Sequence, residues 1–237
     1  MNSSEKPSVD KILKILDKSY YKVGRHELLS DVFECGAIAV SNRFDTRRAK
    51  IREEKYSQIM KKYDTDGQNL IADVFTEIFK LLSSQLSIGF NDYLGELYMK
   101  SETSNSESGQ FFTPYCVSKI CAECSINPVT VSVFKDQDKI LKLHEPTCGS
   151  GGMIIATADI LYNKYQFNIF HNLLVECGDI DARCVYMTYL QLSLAGIPAI
   201  IYHRDGLTLE TWDRWETPAY IFQWPRFRSI LRGETDD

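Results

Sequence analysis

From residue 140 to 203 the chain alternates short apolar runs with helical patterns. The runs are 140–144, 173–176 and 199–203, and the helical patterns between them cover 152–164 and 182–194. Strands joined through helices of this length return in the same direction, so the alternation predicts an α/β fold with a parallel sheet covered by helices. No such alternation occurs in residues 8–100, which read as helical throughout. Ile12, Leu13, Ile15 and Leu16 share one face, as do Leu28, Leu29, Val32 and Phe33; Leu70, Ile71, Val74, Phe75, Ile78, Phe79 and Leu82 form a longer stripe after the break at Asp66 and Gly67. DTDG at 64–67 is no calcium loop, because its glycine falls too early. Between the two regions SETSNSESG is polar and lacks periodicity. The predicted organisation is a helical lobe over 1–100, a polar linker over 101–109 and a second domain over 110–237. A helix is expected after Thr113 and Pro114, and the alternating Val129, Val131 and Val133 read as one more strand.

Composition narrows the function classes. No apolar run reaches membrane-spanning length; the longest, near 195–202, is interrupted by Pro198. The N-terminus shows no basic region followed by an apolar stretch, so seven cysteines are read as reduced thiols and the protein as cytoplasmic. A net charge of −5 argues against a uniformly basic surface, yet residues 43–62 carry eight basic side chains against three acidic ones. Such a segment could meet phosphates; the favoured reading is a solvated helix face with local ion pairs. Cys121 and Cys124 form a C-x-x-C without a second pair, and the four histidines have neither ligand nor triad spacing, so no metal is expected.

The stretch 143–153, LHEPTCGSGGM, lies between a predicted strand and a predicted helix. That is the carboxyl edge of a parallel sheet, where such folds bind ligands. Glycines there let backbone N–H groups approach a ligand. No Lys follows them, so this is no phosphate-cradling loop, and the order is not G-x-G-x-x-G. Glu145 precedes the turn, where a carboxylate could hold a cationic group. Asp179 follows the second strand, where a carboxylate accepts hydrogen bonds from ribose hydroxyls, with Asp181 as runner-up. Asp205 follows the third strand. Each acid alone could be a helix cap or turn former; three at successive strand ends point to a site.

These segments carry a resemblance. GQFFTP ending at Pro114, EPTCGSGG at 145–152, GDID at 178–181 and HRDGL at 203–207 resemble the cofactor half of N6-adenine DNA methyltransferases. The likeness is strongest to modification subunits of type I restriction–modification systems and to small phage-borne relatives. FNDYLGELYM at 90–99 is similar to the helical lead-in of that group. The resemblance implies a Rossmann-like, S-adenosylmethionine-binding methyltransferase core with an incomplete parallel sheet, preceded by the helical lobe. It implies that Gln110, Phe112, Thr113 and Pro114 close over the methionine end of the cofactor. Glu145 and the loop of Pro146, Thr147, Gly149 and Gly151 would hold the amino-acid moiety and the sulfonium side. Asp179 would bind the ribose, Ile180 would lie against the adenine ring, and Asp205 and Leu207 would meet its edge.

The family's acceptor tetrapeptide, Asn/Asp/Ser-Pro-Pro-aromatic, is missing. The nearest approach is Thr217, Pro218, Ala219 and Tyr220, which departs at two positions, and TLETWDRWE before it does not read as a buried strand. Thr217, Pro218 and Tyr220 are thus the catalytic candidates, with Tyr220 more readily a packed or partner-facing residue. The 17 residues after Tyr220 are too few for the remaining strands of a complete sheet. Trp224, Arg226, Phe227, Arg228 and Arg232 in that tail could bind single-stranded nucleic acid, dock a protein partner or a second copy, or cap a sheet edge; the last two together are favoured. Two readings follow: an adenine methyltransferase acting on DNA, needing a partner chain for turnover, or a non-catalytic module binding cofactor and a protein or nucleic-acid partner.

Overall fold

A computed structural model describes residues 7–18, 23–101, 111–136 and 139–232. Both termini, residues 102–109 of the polar linker and Gln110 lie outside the described residues. The first part of the chain forms α1 (Val9–Lys18), α2 (Arg25–Ser41), α3 (Ala49–Met60), α4 (Thr65–Ser83), α5 (Gln85–Ile88) and α6 (Tyr93–Ser101). The DTDG stretch starts α4: Asp64 is its N-cap and accepts the Gly67 N–H at 3.0 Å, satisfying one of the free amides of the first turn. Ile71, Val74, Ile78, Leu81 and Leu82 then bury one face. α2 is the central helix. Its Gly36 faces the Phe75 ring, which a Cβ would approach to 2.3 Å, so a larger residue there would have to push the ring aside.

The sheet contains β1 (Leu141–Glu145), β2 (Leu173–Asp179), β3 (Ala199–Arg204) and β4 (Thr211–Glu216), in that order. β1, β2 and β3 are parallel, as the alternation predicts, and β4 runs antiparallel to β3. Around them lie α7 (Tyr115–Ser125), α8 (Pro128–Asp136), α9 (Gly152–Asp159) with a π-helical turn over Ile160–Lys164, α10 (Ala182–Leu194) and α11 (Pro218–Arg232). On one face Val175, Cys177, Ala199 and Ile201 join a buried cluster with Cys184, Met187 and Leu190 of α10, Phe33 and Ile38 of α2, and Val74 of α4. The helices of the first hundred residues and the sheet thus share one apolar core. On the other face Tyr220 and Phe227 of α11 pack against Ile140, Leu174 and Ile200. No described helix is long and apolar enough to cross a membrane.

One local expectation is corrected. Val129, Val131 and Val133 belong to α8, not to a strand. The Asn127 side chain accepts the Val129 and Thr130 amides and Pro128 opens the first turn, so local capping wins; only Val131 is buried. TWDRWE, which does not read as a buried strand, forms a strand that is exposed at its start. As the edge it needs one paired neighbour, and so it lacks the continuous apolar run of a strand buried on both faces.

Candidate functional site

The glycine loop is fixed at its crossing point with β2. Cys148 N donates to Gly178 O, Gly149 N to the Asp179 Oδ2, and Gly151 N to Cys148 O, each at 2.8 Å. Two positions demand glycine. Gly149 and Gly151 have φ of 54° and 95°, in the left-handed region. A Cβ on Gly149 would also stand 3.2 Å from the Phe112 ring, and one on Gly151 would stand 3.1 Å from Thr188 Oγ1. Thr188 Oγ1 donates to Gly149 O at 2.9 Å, so α10 braces the loop from below.

The three acids at the strand ends differ in what they do. Asp179 is buried and accepts Gly149 N with one oxygen and Asp181 N with the other, at 2.8 and 2.9 Å. Each carboxylate oxygen retains a further lone pair, and Asp179 lines the cavity beside the loop. Asp181 is committed elsewhere: it caps α10 through Arg183 N and pairs with the Arg183 guanidinium. Asp205 folds into a turn, accepting Leu207 N at 2.7 Å and Thr208 N at 3.2 Å; these amides hold its carboxyl below the usual carboxylate range. The turn lies beside the loop, with Gly206 packed near Pro146 O. Ile180 is exposed next to Asp179, and its carbonyl is 3.1 Å from His203 Nε2.

A cavity of about 210 Å³ opens between these elements and residues 111–113. It brings together Phe112, Thr113, Thr147, Gly149 and Asp179 of the expected residues. Pro114 lines an adjoining hollow of about 290 Å³ that shares Phe112 and Thr113. Glu145 turns back on the loop, its Oε1 accepting Thr147 N at 3.2 Å. Leu207 is almost wholly exposed on its turn.

Sequence reasoning missed several residues in this cavity, Phe111 and Gly152 among them. Met153 is another. Ser118, on the first turn of α7, is buried and its Oγ has no hydrogen-bond partner. Asp92, ahead of α6, is buried and lines both hollows. Burial pushes its carboxyl up, against the opposing pull of donors from Ser150, Gln191 and Gly95. The signal for Asp92 lay in FNDYLGELYM, whose likeness marked the segment but not the residue. Cys177, under the loop, is pushed up by burial and the neighbouring Cys148, which keeps it a thiol rather than a nucleophile.

Thr217, Pro218 and Tyr220 do not join this cavity. β4 runs antiparallel, so residue 217 returns to the amino end of β3, opposite the glycine loop. There Thr217 Oγ1 accepts Ala199 N and donates to Ile197 O, both at 2.9 Å, and is fully buried. Tyr220 packs between Trp224 and Phe227. The aromatic tail is helix α11 and covers a sheet face rather than an edge.

The basic segment is not a plain solvated face either. Arg47 pairs with Asp45 and Glu216, and Arg48 with Asp213. Arg52, 3% exposed, bonds Ser41, Asp45 and Arg214 O and lies over the Trp215 ring at 3.8 Å. Three arginines therefore clamp β4 to the helices. Arg43, Lys50, Lys55 and Lys61 remain exposed.

No curated protein sequence and no solved structure matches the chain. A family model does: the N-6 DNA methylase model matches residues 90–232, from the segment carrying Asp92 to the end of α11. With the glycine loop, the strand-end acids and the parallel sheet inside that span, the chain belongs to the N-6 DNA methylase family.

Proposed function

We propose that the carboxyl edge of the sheet binds S-adenosylmethionine and that the chain serves N6-adenine methylation of DNA. The observation that carries this reading is the loop made by Gly149 and Gly151 against the inward-facing Asp179. The residues suit the group. Left-handed glycines keep the loop low, Asp179 gives the cavity a carboxylate with spare lone pairs, and the buried Ser118 hydroxyl is an unmet donor and acceptor. Asp179 would hold the ribose hydroxyls and exposed Ile180 would lie against the adenine. Thr113 and Phe112 would close over the methionine end, beside the loop of Pro146 and Thr147. Glu145 would keep that loop's shape through Thr147, and the turn of Asp205 and Leu207 would border the purine. When bound, the cofactor supplies an electrophilic methyl group on a sulfonium.

A second reading concerns turnover. Methyl transfer requires an amine held in line with the methyl group, and the buried Thr217 at the opposite end of the sheet supports a chain that binds cofactor without holding the acceptor base itself. The acceptor-side groups would come from another segment or chain, as in a restriction–modification assembly.

Isothermal titration tests the first reading: saturable S-adenosylmethionine binding that Asp179→Ala weakens is expected, and none at millimolar ligand rejects it. Tritiated cofactor with mixed-sequence DNA tests the second. No incorporation by the chain alone, beside a Glu145→Ala control, is expected; robust, control-sensitive incorporation into adenine rejects it.

A further inference from the structure

We propose that Asp92 is a positioning residue that locks the glycine loop to α6 and α10 and so sets the shape of the cofactor cavity. Its Oδ1 accepts Gly95 N at 3.0 Å and Gln191 Nε2 at 2.8 Å, and its Oδ2 accepts the Ser150 hydroxyl in a short bond. Gln191 completes the joint. Its Nε2 also donates to Ser150 O at 2.7 Å, and its Oε1 accepts Leu94 N at 3.2 Å. Asp92, Ser150 and Gln191 are 5%, 2% and 0% exposed, so water does not compete for these bonds.

The space around the carboxylate is built for it from both sides. A Cβ on Gly95 would fall 2.2 Å from Oδ2, and one on Gly152 would fall 2.8 Å from the same atom. Two glycines, one in the lead-in helix and one opening α9, thus make room for one oxygen. A carboxylate accepts from three donors at once, which no neutral side chain of this size does without turning a donor around. A helix cap alone needs only the Gly95 bond. The remaining two bonds reach the loop and the helix beneath it, so they act on where residues 148–151 stand.

The inference rests on the cofactor reading for its ligand, but not for its first readout. In the ligand-free full chain, hydrogen exchange of the Cys148, Gly149 and Gly151 amides reports the loop directly. Asp92→Ala and Ser150→Ala should each speed that exchange roughly tenfold, the scale of one charged hydrogen bond. Amides of β2 should keep the wild-type rate. S-adenosylmethionine affinity, titrated on the same proteins, should fall by a similar factor. Unchanged loop exchange in both variants overturns the proposal, as does acceleration spread evenly over β2 and α10. If Asp92→Ala does not fold, Ser150→Ala alone decides. Wild-type protein that binds no cofactor defeats the cofactor reading and leaves the exchange result standing.

Discussion

Asp179 and Thr217 both satisfy two backbone groups at the end of a strand, yet they belong to opposite ends of the sheet. At the carboxyl end the acid keeps spare lone pairs and borders a cavity flanked by left-handed glycines. At the amino end the hydroxyl is enclosed, and the chain passes straight into α11. The same local chemistry therefore makes a site at one end and a joint at the other. Chain direction decides which: three strands point their carboxyl ends at the cavity, and β4 points away from it.

The contrast breaks most sharply if the arginine clamp turns out to touch DNA instead of β4. Arg52→Met should cost about 3 kcal/mol of stability, because a buried ion pair loses one partner. The side chains of Arg52 and Asp45 are 3% and 2% exposed, so solvent screens little of this, while Arg47 stays with Asp45 and keeps the loss at the lower end. Thermal or urea unfolding measures it. An unchanged midpoint together with weaker, salt-sensitive DNA retention would reassign the segment to phosphate binding.

Two substitutions with intermediate effects separate the two ends of the sheet. Thr217→Val keeps the shape but leaves Ala199 N and Ile197 O without their partner, a loss of about 1–3 kcal/mol in stability. Cofactor affinity should not move. Asp179→Ala should do the reverse, weakening S-adenosylmethionine by about 1–3 kcal/mol with a smaller effect on unfolding. A Thr217 variant that loses affinity while still folded would bring the amino end back into the chemistry.

The smallest effect is a pH dependence. Burial raises the Asp92 carboxyl, and Glu96 is the charged neighbour that adds to it. An acid raised in the folded state binds its proton more tightly there than in the unfolded chain. Its contribution to stability is therefore full below the ordinary carboxylate pKa and is lost as pH rises through the folded value. Asp92→Asn removes that titration, so the unfolding free energy of the variant relative to wild type should climb as pH rises. A difference that stays flat from acid to neutral pH would show that Asp92 does not titrate across folding.

What could be read from residues alone followed distance along the chain. The three parallel strands were legible because each is a short, largely apolar run closed by a turn, and the loop because its glycines sit within a few positions of one another beside Glu145. β4 was not, since its stability comes from Arg47, Arg48 and Arg52, more than 160 residues away. Asp92 stayed hidden for the same reason: Ser150 and Gln191 lie 58 and 99 residues downstream. Val129, Val131 and Val133 carry the period of a strand, but the Asn127 cap and Pro128 start a helix there. Thr217 to Tyr220 fell where the tetrapeptide was expected in sequence; only the reversed direction of β4 carried it to the other end of the sheet.

The clamp between Arg47 and Glu216 joins residues 169 positions apart. A ribosome adding about 5–20 residues per second takes roughly 10 to 30 seconds to cover that gap. For that interval α2 and α3 have emerged while the hairpin they grip has not been made. The Trp215 ring that Arg52 will stack on arrives almost as late. The nascent helices must therefore wait with three arginines unpartnered until residues 213–216 are made and β4 closes over them.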